Sequence, residues 1–418
     1  MTSEMYSERR KALSKALDNH STVLLFSGTA PHKSEDVDYT YTPNRNFYYL
    51  TGITRPNMIL MLTKQGESVT ETLFIEEANP VLEKWIGRRM TVAEAKAVSG
   101  INSVYFLDSF EAQLGRHLAR KRCDAVYLDL GRASWQQPLS KAHEFAAELT
   151  RKHPYLQIRN VHRELANLRL IKSEEEINNI RKAIDITRQG IENLLANAKP
   201  GMMEYELEAY YDFPLKLNGV KEPGFTSIIA SGQNGVILHY EENDQQTKDG
   251  DLVLLDLGAQ YKYYSADISR TFPVNGKFTE RQKQIYNIVL NAEEELIAAV
   301  KPGVTWKQLN DLAKRLLADG LKSLGLIQDD AEISRYYYHS VGHQLGLNVH
   351  DVTTLDENDP LQPGMVITIE PGLYIEEESI GIRIEDDVLV TENGQENLSK
   401  HILKTVEDIE AFMAKASK

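Results

Sequence analysis

The residues best suited to chemistry cluster toward the end of the sequence. Three histidines, His339, His343 and His350, lie in a segment punctuated by glycines. Glu370 follows a short β-branched run, and Glu385 ends an alternating apolar run that is typical of a strand. A carboxylate within an apolar strand is costly to bury unless a cation neutralises it. This pattern of acids and imidazoles therefore indicates a metal site.

An earlier stretch supplies two more acids in the same kind of surroundings. Asp256 and Glu370 each end an apolar, strand-like run and are followed two residues later by a glycine. Asp267 and Glu385 each follow on the next strand-like segment. A histidine precedes each pair of acids: His239 precedes the first pair, and His350 precedes the second. The two stretches look like copies of one design.

The helical patterns upstream of the two acid pairs repeat as well. Ser173 and Thr279 each open a helix with a capping box, in which the fourth residue, Glu176 or Gln282, reaches back to the cap. Both helices close at a Lys-Pro-Gly sequence, and a second helical pattern follows each closure. We therefore predict an internal duplication of helix, helix and strands. A pseudo-twofold arrangement would bring four carboxylates to one centre.

Such a centre needs cations. Four carboxylates carry a charge of about −4, and two divalent ions would bring the site near neutrality. Hard, oxygen-rich sites favour Mn²⁺, Mg²⁺ or Ca²⁺ over Zn²⁺, and one imidazole shifts the preference toward Mn²⁺ or Co²⁺. We predict two divalent ions, Mn²⁺ before Co²⁺ or Zn²⁺. One ion can activate a water while the other polarises a carbonyl group.

Five residues, in their order and local context, resemble the five metal ligands of the "pita-bread" metallopeptidases: Asp256, Asp267, His343, Glu370 and Glu385. The segments FYYLTGI and WIGRR in the first half resemble the amino-terminal domain of Xaa-Pro aminopeptidases (aminopeptidase P). The resemblance covers nearly the whole chain. It implies hydrolysis of the amino-terminal Xaa-Pro bond of peptides by a hydroxide that bridges two metal ions.

The resemblance also implies a division of the ligands between the two ions. Asp267 and Glu385 would bridge the ions, Asp256 would bind one of them, and His343 and Glu370 would bind the other. Glu370 is counted among the catalytic residues as well as the ligands.

Four further residues are candidates for catalysis. The family has functional histidines at the positions of His239, His339 and His350. The internal repeat independently places His239 and His350 beside the metals, where they could stabilise a tetrahedral intermediate or pass a proton. His339 could instead only shape its loop. Arg383 lies two residues before Glu385 and shares its strand face, so it could hold a carboxylate, meet the substrate or form a structural ion pair.

Composition limits the class of protein. The chain has 418 residues, 42% of them hydrophobic, and a net charge of −14. This length favours two domains, and the negative charge argues against nucleic acid or an anionic membrane as a partner. A single cysteine, Cys123, excludes an intramolecular disulfide and reads as a small buried hydrophobe. A polar amino terminus and short apolar runs predict a cytoplasmic enzyme.

The predicted fold has an α/β amino-terminal domain, residues 1–165, and an α+β pita-bread domain, residues 166–418. The first domain is creatinase-like by resemblance, with a mixed sheet. Its strand-like runs are residues 23–26, 47–50, 58–62, 72–75, 103–107 and 125–128, and its helical patterns include residues 91–98, 110–122 and 140–152. The acidic runs 174–176, 293–295 and 376–378 read as solvated faces.

Several functions remain open at this level. An Xaa-Pro aminopeptidase acts on peptides with proline second, and an Xaa-Pro dipeptidase (prolidase) cleaves only dipeptides. A methionine aminopeptidase would not usually need the first domain. A catalytically inactive binding scaffold, or creatinase-like chemistry without metal, is disfavoured because all five ligands are present. The family suggests a homodimer or homotetramer, in which Trp85 could reach a neighbouring subunit's substrate pocket.

Overall fold

The computed structural model describes residues 1–119 and 123–416 of the chain. It divides into two compact units, Met1–Leu168 and Arg169–Lys418.

The first unit is built of helices around a mixed sheet. Its helices are α1 (Ser3–Ala16), α2 (Arg45–Thr51), α3 (Glu83–Ile86), α4 (Val92–Ser99), α5 (Phe110–Ala119), α6 (Lys141–Lys152) and α7 (His162–Leu170), which ends two residues into the second unit. Its strands are β1 (Ser21–Phe26), β2 (His32–Ser34), β3 (Val37–Asp38), β4 (Ile59–Gln65), β5 (Ser68–Ile75), β6 (Ser103–Phe106), β7 (Ala125–Leu128) and β8 (Gln157–Asn160).

The predicted mixed sheet is confirmed, with the order β6-β5-β4-β1-β7-β8. Strand β1 pairs antiparallel with β4 and parallel with β7. Apolar side chains of the sheet pack with α5 and α6 around Phe74, Phe110 and Leu149. The predicted helix over residues 110–122 is present as far as Ala119, and its last three residues lie outside the described part.

One of the strand-like runs is not a strand. Residues 47–50 belong to helix α2, because local capping signals outweigh the apolar run. The side chain of Asn44 accepts a hydrogen bond from the Phe47 N–H at the start of this helix. Gly52 ends it in the left-handed conformation, with φ at 69°.

The second unit combines long helices with small antiparallel sheets. Its helices are α8 (Glu174–Asn197), α9 (Glu204–Leu217), α10 (Glu280–Ala299), α11 (Trp306–Ser323) and α12 (Val406–Ala416). Its strands are β9 (Ile228–Ser231), β10 (Leu252–Leu257), β11 (Gln260–Tyr261), β12 (Tyr264–Ser265), β13 (Ile268–Pro273), β14 (Val366–Ile369), β15 (Gly372–Ile375), β16 (Ile380–Arg383), β17 (Asp386–Thr391) and β18 (Gly394–Asn397).

The order of these elements shows the predicted duplication. Helices α8 and α9 precede a sheet of order β13-β10-β9, and helices α10 and α11 precede a sheet of order β14-β17-β18. A two-stranded hairpin, β11-β12 or β15-β16, connects the paired strands of each copy. The first half of the unit, residues 174–273, and the second half, residues 280–397, therefore repeat two helices, a strand, a hairpin and a strand. The third strand of each sheet differs in order, since β9 precedes its paired strands and β18 follows them.

The helix openings follow the sequence prediction. The Thr279 N–H donates to Oε1 of Gln282 (2.9 Å), and the Gln282 N–H donates to Oγ1 of Thr279 (3.2 Å). Likewise, the Ser173 N–H donates to Oε2 of Glu176 at 3.0 Å. These contacts satisfy backbone donors that a helix start would otherwise leave free.

The acidic runs are only partly solvated, so the prediction of solvated faces is wrong for two of their members. Glu176 is buried, since it caps its helix and also accepts a hydrogen bond from Tyr264. Glu293 is fully buried, since it pairs with the Nζ of Lys404 at 2.8 Å. In both cases a specific partner offsets the cost of removing the carboxylate from water.

The structure also bears on the single cysteine and on the search for a membrane-spanning helix. Cys123 is buried, at 2% exposure, as expected for a small hydrophobic side chain. Within the described residues, no helix has both the length and the apolar character needed to cross a bilayer.

Candidate metal centre

A single cavity of about 390 Å³ in the second unit brings all the sequence-predicted site residues together. Leu238 and Ser340 also line it. The predicted residues along its wall are His239, Asp256, Asp267, His339, His343, His350, Glu370, Arg383 and Glu385.

The four acids reach this cavity from equivalent places in the two halves. Asp256 lies near the end of β10, and Asp267 directly precedes β13. Glu370 directly follows β14, and Glu385 directly precedes β17. The halves meet here, because the Glu385 N–H donates to the carbonyl oxygen of Ser269 on β13 (3.1 Å). Antiparallel pairing within each half therefore delivers two carboxylates to the same edge.

The imidazole of His343 is held in one tautomer. Its Nδ1 lies 3.0 Å from the carbonyl oxygen of Gln344, which can only accept, so Nδ1 carries the proton. Its backbone N–H donates to Oγ1 of Thr368. The bare Nε2 then lies 3.3 Å from Oδ2 of Asp267 and 3.7 Å from Oε1 of Glu370. A nitrogen lone pair and two carboxylates thus face one another.

The electrostatics of this cluster are unfavourable without a cation. Burial, followed by the charges of Glu385 and Asp256, raises the pKa of Asp267 well above its usual range. Burial also raises the pKa of Glu370 to about 8 and that of Glu385 well above normal. Burial and the neighbouring His350 lower the pKa of His343 to about 4. Raised carboxyl pKa values and a lowered imidazole pKa are expected where acids and an imidazole are buried together without a cation between them.

The residues present fit a metal. One atom each from Asp267, His343 and Glu385 lie within 4.8 Å of one another, which suits a shared ion. Among the described residues, Oδ1 of Asp256 and Oδ1 of Asp267 are buried without a hydrogen-bond partner. Unpaired buried oxygens are costly, and a cation would satisfy them. Oxygen donors with one imidazole form a hard ligand set.

Arg383 connects the two halves of the site. Its Nη2 donates to Oδ2 of Asp256 at 2.7 Å, and its Nε donates to Oγ of Ser269 at 2.8 Å. Ser269 in turn donates from Oγ to Oε2 of Glu385, also at 2.7 Å. The guanidinium therefore contacts one proposed ligand directly and reaches Glu385 through Ser269. An ion pair between Arg383 and Asp256 is present, as one of the sequence readings expected.

His339 lies beside the acids and is hydrogen-bonded through both ring nitrogens. Its Nδ1 donates to the carbonyl oxygen of Ser340 (2.8 Å), so its Nε2 accepts from the Tyr374 hydroxyl at 2.9 Å. The same hydroxyl accepts a hydrogen bond from Nη1 of Arg383 at 3.0 Å. Burial, followed by the charge of Arg383, lowers the pKa of His339 to about 4. The ring is therefore neutral at physiological pH and oriented by Tyr374.

His239 and His350 are exposed at the mouth of the cavity. The His350 ring lies edge-on to that of His343, with centroids 4.2 Å apart. Burial and the charge of His239 lower the pKa of His350. The structure therefore places both histidines beside the acid cluster, where each can reach a molecule bound in the cavity.

Sequence reasoning missed Ser269 and Tyr374. Ser269 lies two residues after Asp267, so strand alternation could have placed its hydroxyl on the same face. Tyr374 gave no such signal, because its contacts with His339 and Arg383 depend on how the β15-β16 hairpin folds against the loop of residues 339–343.

Comparison with known families gives two matches that together span most of the chain. The model for metallopeptidase family M24 matches residues 178–392. The model for the amino-terminal domain of aminopeptidase P matches residues 6–127. The first match contains the whole acid cluster.

Individual relatives match over almost the full length. The chain is 36% identical to an Xaa-Pro aminopeptidase of Escherichia coli, covering 99% of this chain and 98% of the relative. It is 34% identical to human Xaa-Pro aminopeptidase 3, covering 95% and 81%. Among solved structures, a Bacillus anthracis chain assigned to aminopeptidase P has 53% identity and a TM-score of 0.97, covering 100% and 99%. The E. coli aminopeptidase P structure with the inhibitor Pro-Leu has 34% identity, a TM-score of 0.92 and the same coverage.

Proposed function

The chain belongs to metallopeptidase family M24 and is a metallo-aminopeptidase, and we propose that it removes the first residue from peptides whose second residue is proline. The metal-dependent part of this proposal rests on one observation: the bare Nε2 of His343 faces Asp267 and Glu370, at 3.3 and 3.7 Å, beside unpaired carboxylate oxygens. A shared cation would make this arrangement favourable. The preference for proline is supported by the relatives named Xaa-Pro aminopeptidase.

In this proposal the five ligands hold two divalent ions. Asp267 and Glu385 would be shared by the two ions, Asp256 would hold one of them, and His343 and Glu370 would hold the other. When bound, the ions supply a hydroxide nucleophile and polarise the scissile carbonyl group. The oxygen-rich set favours Mn²⁺, although a zinc-substituted form of the E. coli relative has been solved with product.

The chain's own residues prepare the substrate and the ligands. Arg383 holds Asp256 and orders Ser269, which fixes the orientation of Glu385. His239 and His350 face the cavity, where a neutral imidazole can donate to the substrate carbonyl oxygen or exchange a proton. The leaving nitrogen of proline carries no hydrogen in the peptide, so it must gain a proton before it departs.

A dipeptidase is the alternative that shares the same centre. The E. coli relative, 34% identical in sequence, was solved with the inhibitor Pro-Leu, in which a residue follows proline. Relatives of nearly the same length carry the aminopeptidase name. Both observations favour substrates longer than a dipeptide. A non-catalytic scaffold is disfavoured because every ligand position lines the cavity.

We also propose a cytoplasmic homodimer or homotetramer. Trp85 lies in an apolar group with Val81 and Ile86, and 84% of its side chain is exposed. An exposed cluster of this kind is typical of a contact surface. Light scattering should give a mass of two or four chains, and a monomer would contradict this proposal.

A substrate-length series tests the function. After chelation and removal of bound metal, the protein should be inactive, and Mn²⁺ should restore cleavage of an Xaa-Pro-Xaa tripeptide better than Zn²⁺ does. The matched control peptide carries alanine in place of proline and should be cleaved poorly. Preference for the Xaa-Pro dipeptide would support the dipeptidase. Full activity after verified metal removal would refute the metal-dependent mechanism.

A further inference from the structure

Glu204 is a buried carboxylate that the metal centre does not explain. It opens helix α9, and its side chain is fully buried. Among the described residues, no Lys, Arg or His forms an ion pair with it. A buried carboxylate without a cationic partner is costly unless several hydrogen bonds satisfy its oxygens.

Among the described residues, all the hydrogen bonds that the Glu204 carboxylate accepts come from one segment, residues 231–245. Oε1 accepts from the N–H of Ser231 (2.7 Å), the hydroxyl of Ser231 (2.7 Å) and Nδ2 of Asn234 (3.2 Å). Oε2 accepts from the hydroxyl of Tyr240 (2.7 Å) and the N–H of Gln245 (2.8 Å). One carboxylate thus joins the beginning and the end of the segment.

This segment presents His239 to the cavity. His239 is exposed and directly precedes Tyr240, which is 6% exposed. Residues 232–244 all belong to the described part of the chain, and the only regular element among them is a short 3₁₀ turn, Gly232–Val236. Without regular backbone hydrogen bonds, the loop depends on side-chain contacts to keep one conformation.

We infer that Glu204 is a positioning residue, which fixes the loop of residues 231–245 so that His239 faces the metal centre. This inference rests on the proposed function, since it assigns Glu204 to the same reaction. Glu204 does not touch the cavity, so it acts only through the loop. Its effect on catalysis should therefore require His239.

The first test is a double-mutant cycle. Tyr240→Phe removes one of the five hydrogen bonds, and Glu204→Gln replaces one accepting oxygen with an amide group that cannot accept. We expect Tyr240→Phe to lower kcat by roughly 10-fold, with KM and metal content unchanged, because a misplaced group loses transition-state contacts. In a His239→Ala background the same change should alter kcat less than about two-fold.

The matched control is Tyr49→Phe, which removes a buried hydroxyl that donates to the Leu168 carbonyl oxygen in the first unit. It should leave kcat unchanged. Equal losses from Tyr240→Phe in the wild-type and His239→Ala backgrounds would overturn the inference, because Glu204 would then act independently of His239. An unchanged kcat in both Tyr240→Phe and a folded Glu204→Gln variant would also overturn it.

Hydrogen exchange gives a second readout that does not need activity. Both variants should exchange faster in residues 231–245 and not in the loop of residues 343–351. A uniform increase over the second unit, or none, would contradict a local role. If the wild-type protein cleaves no Xaa-Pro peptide, the proposed function fails, and the exchange result alone decides whether Glu204 holds the loop.

Discussion

The two halves of the second unit hold the exposed cavity histidines, His239 and His350, by different chemistry. In the first half, Glu204 holds the loop of His239 through neutral hydroxyl, amide and backbone donors. In the second half, a buried acid, Asp351, directly follows His350 and pairs with two cations. Its Oδ1 accepts from Nη2 of Arg169 at 2.5 Å, and its Oδ2 lies 3.3 Å from Nζ of Lys172.

The duplication therefore keeps the positions of the acids the same in both halves, whereas the contacts that hold the histidine loops differ. The acids that converge on the cavity keep equivalent places in both halves, because the proposed metal pair needs all four. The anchors behind the histidines need only keep a loop rigid. Neutral donors or an ion triad can each do this, but the energetic consequences of removing them differ.

The largest effects should come from the equivalent acids Asp267 and Glu385. Asp267→Asn and Glu385→Gln each remove one charge from a proposed bridge between ions. We expect both variants to lose metal, measured by elemental analysis, and activity by several orders of magnitude. If one variant kept two tightly bound ions and near-native turnover, the two halves would contribute unequally to metal binding, contrary to the prediction.

Somewhat smaller losses are expected for His239 and His350, the two exposed histidines of the cavity. His350→Ala should keep both metals yet lose kcat by roughly 10²–10⁴-fold, because it would remove proton transfer or transition-state stabilisation. His239→Ala should do the same if the halves are functionally alike. Steady-state kinetics on an Xaa-Pro-Xaa tripeptide and metal analysis measure both. Loss of one metal would identify the mutated histidine as a ligand.

The loop anchors should affect stability according to their chemistry. Asp351→Asn leaves Arg169 and Lys172 buried without their acid, which should lower the free energy of unfolding by about 3–5 kcal/mol. Tyr240→Phe removes one hydrogen bond to a carboxylate and should cost about 1.5–3 kcal/mol. Urea unfolding measures both values. The order of the two losses would be reversed if the ion triad contributed little.

A surface ion pair provides the control for that experiment. Asp311 pairs with Lys307 on an exposed helix face, and Asp311→Asn should not shift the unfolding midpoint measurably.

The smallest predicted effect is on the pH dependence of stability. Although burial opposes it, the charges of Arg169 and Lys172 lower the pKa of Asp351. A lowered carboxyl pKa stabilises the fold above the unfolded value of about 3.9, and this contribution is lost as pH falls through the folded value. The stability gap between wild type and Asp351→Asn should therefore narrow below about pH 4. A constant gap from pH 7 to pH 3 would contradict this.

Much of the fold was predictable because its signals are local. The capping box of Thr279 and Gln282 spans only four residues. Strands β10 and β14 are recognisable as short apolar runs. The strand predicted for residues 47–50 was wrong because a short apolar run occurs in buried helices as well as in buried strands. There, Asn44 and Gly52 carried the decisive signal at the ends.

The site was predictable at the residues whose chemistry is unusual for their surroundings. Asp256 and Glu370 are recognisable because acids rarely follow apolar strands. Glu204 was not recognisable, since a glutamate at the start of a helix normally faces water, and its burial depends on a loop folding back over it. The contact of Arg383 with Asp256 likewise arises only when the halves meet.

The central claim is that the two halves together hold two ions. Anomalous diffraction from crystals soaked in Mn²⁺, collected at the manganese edge, tests it most directly. Two peaks should lie in the cavity, with Asp267 and Glu385 between them, Asp256 beside one peak, and His343 and Glu370 beside the other. A single peak, or manganese bound away from these five residues, would contradict the account.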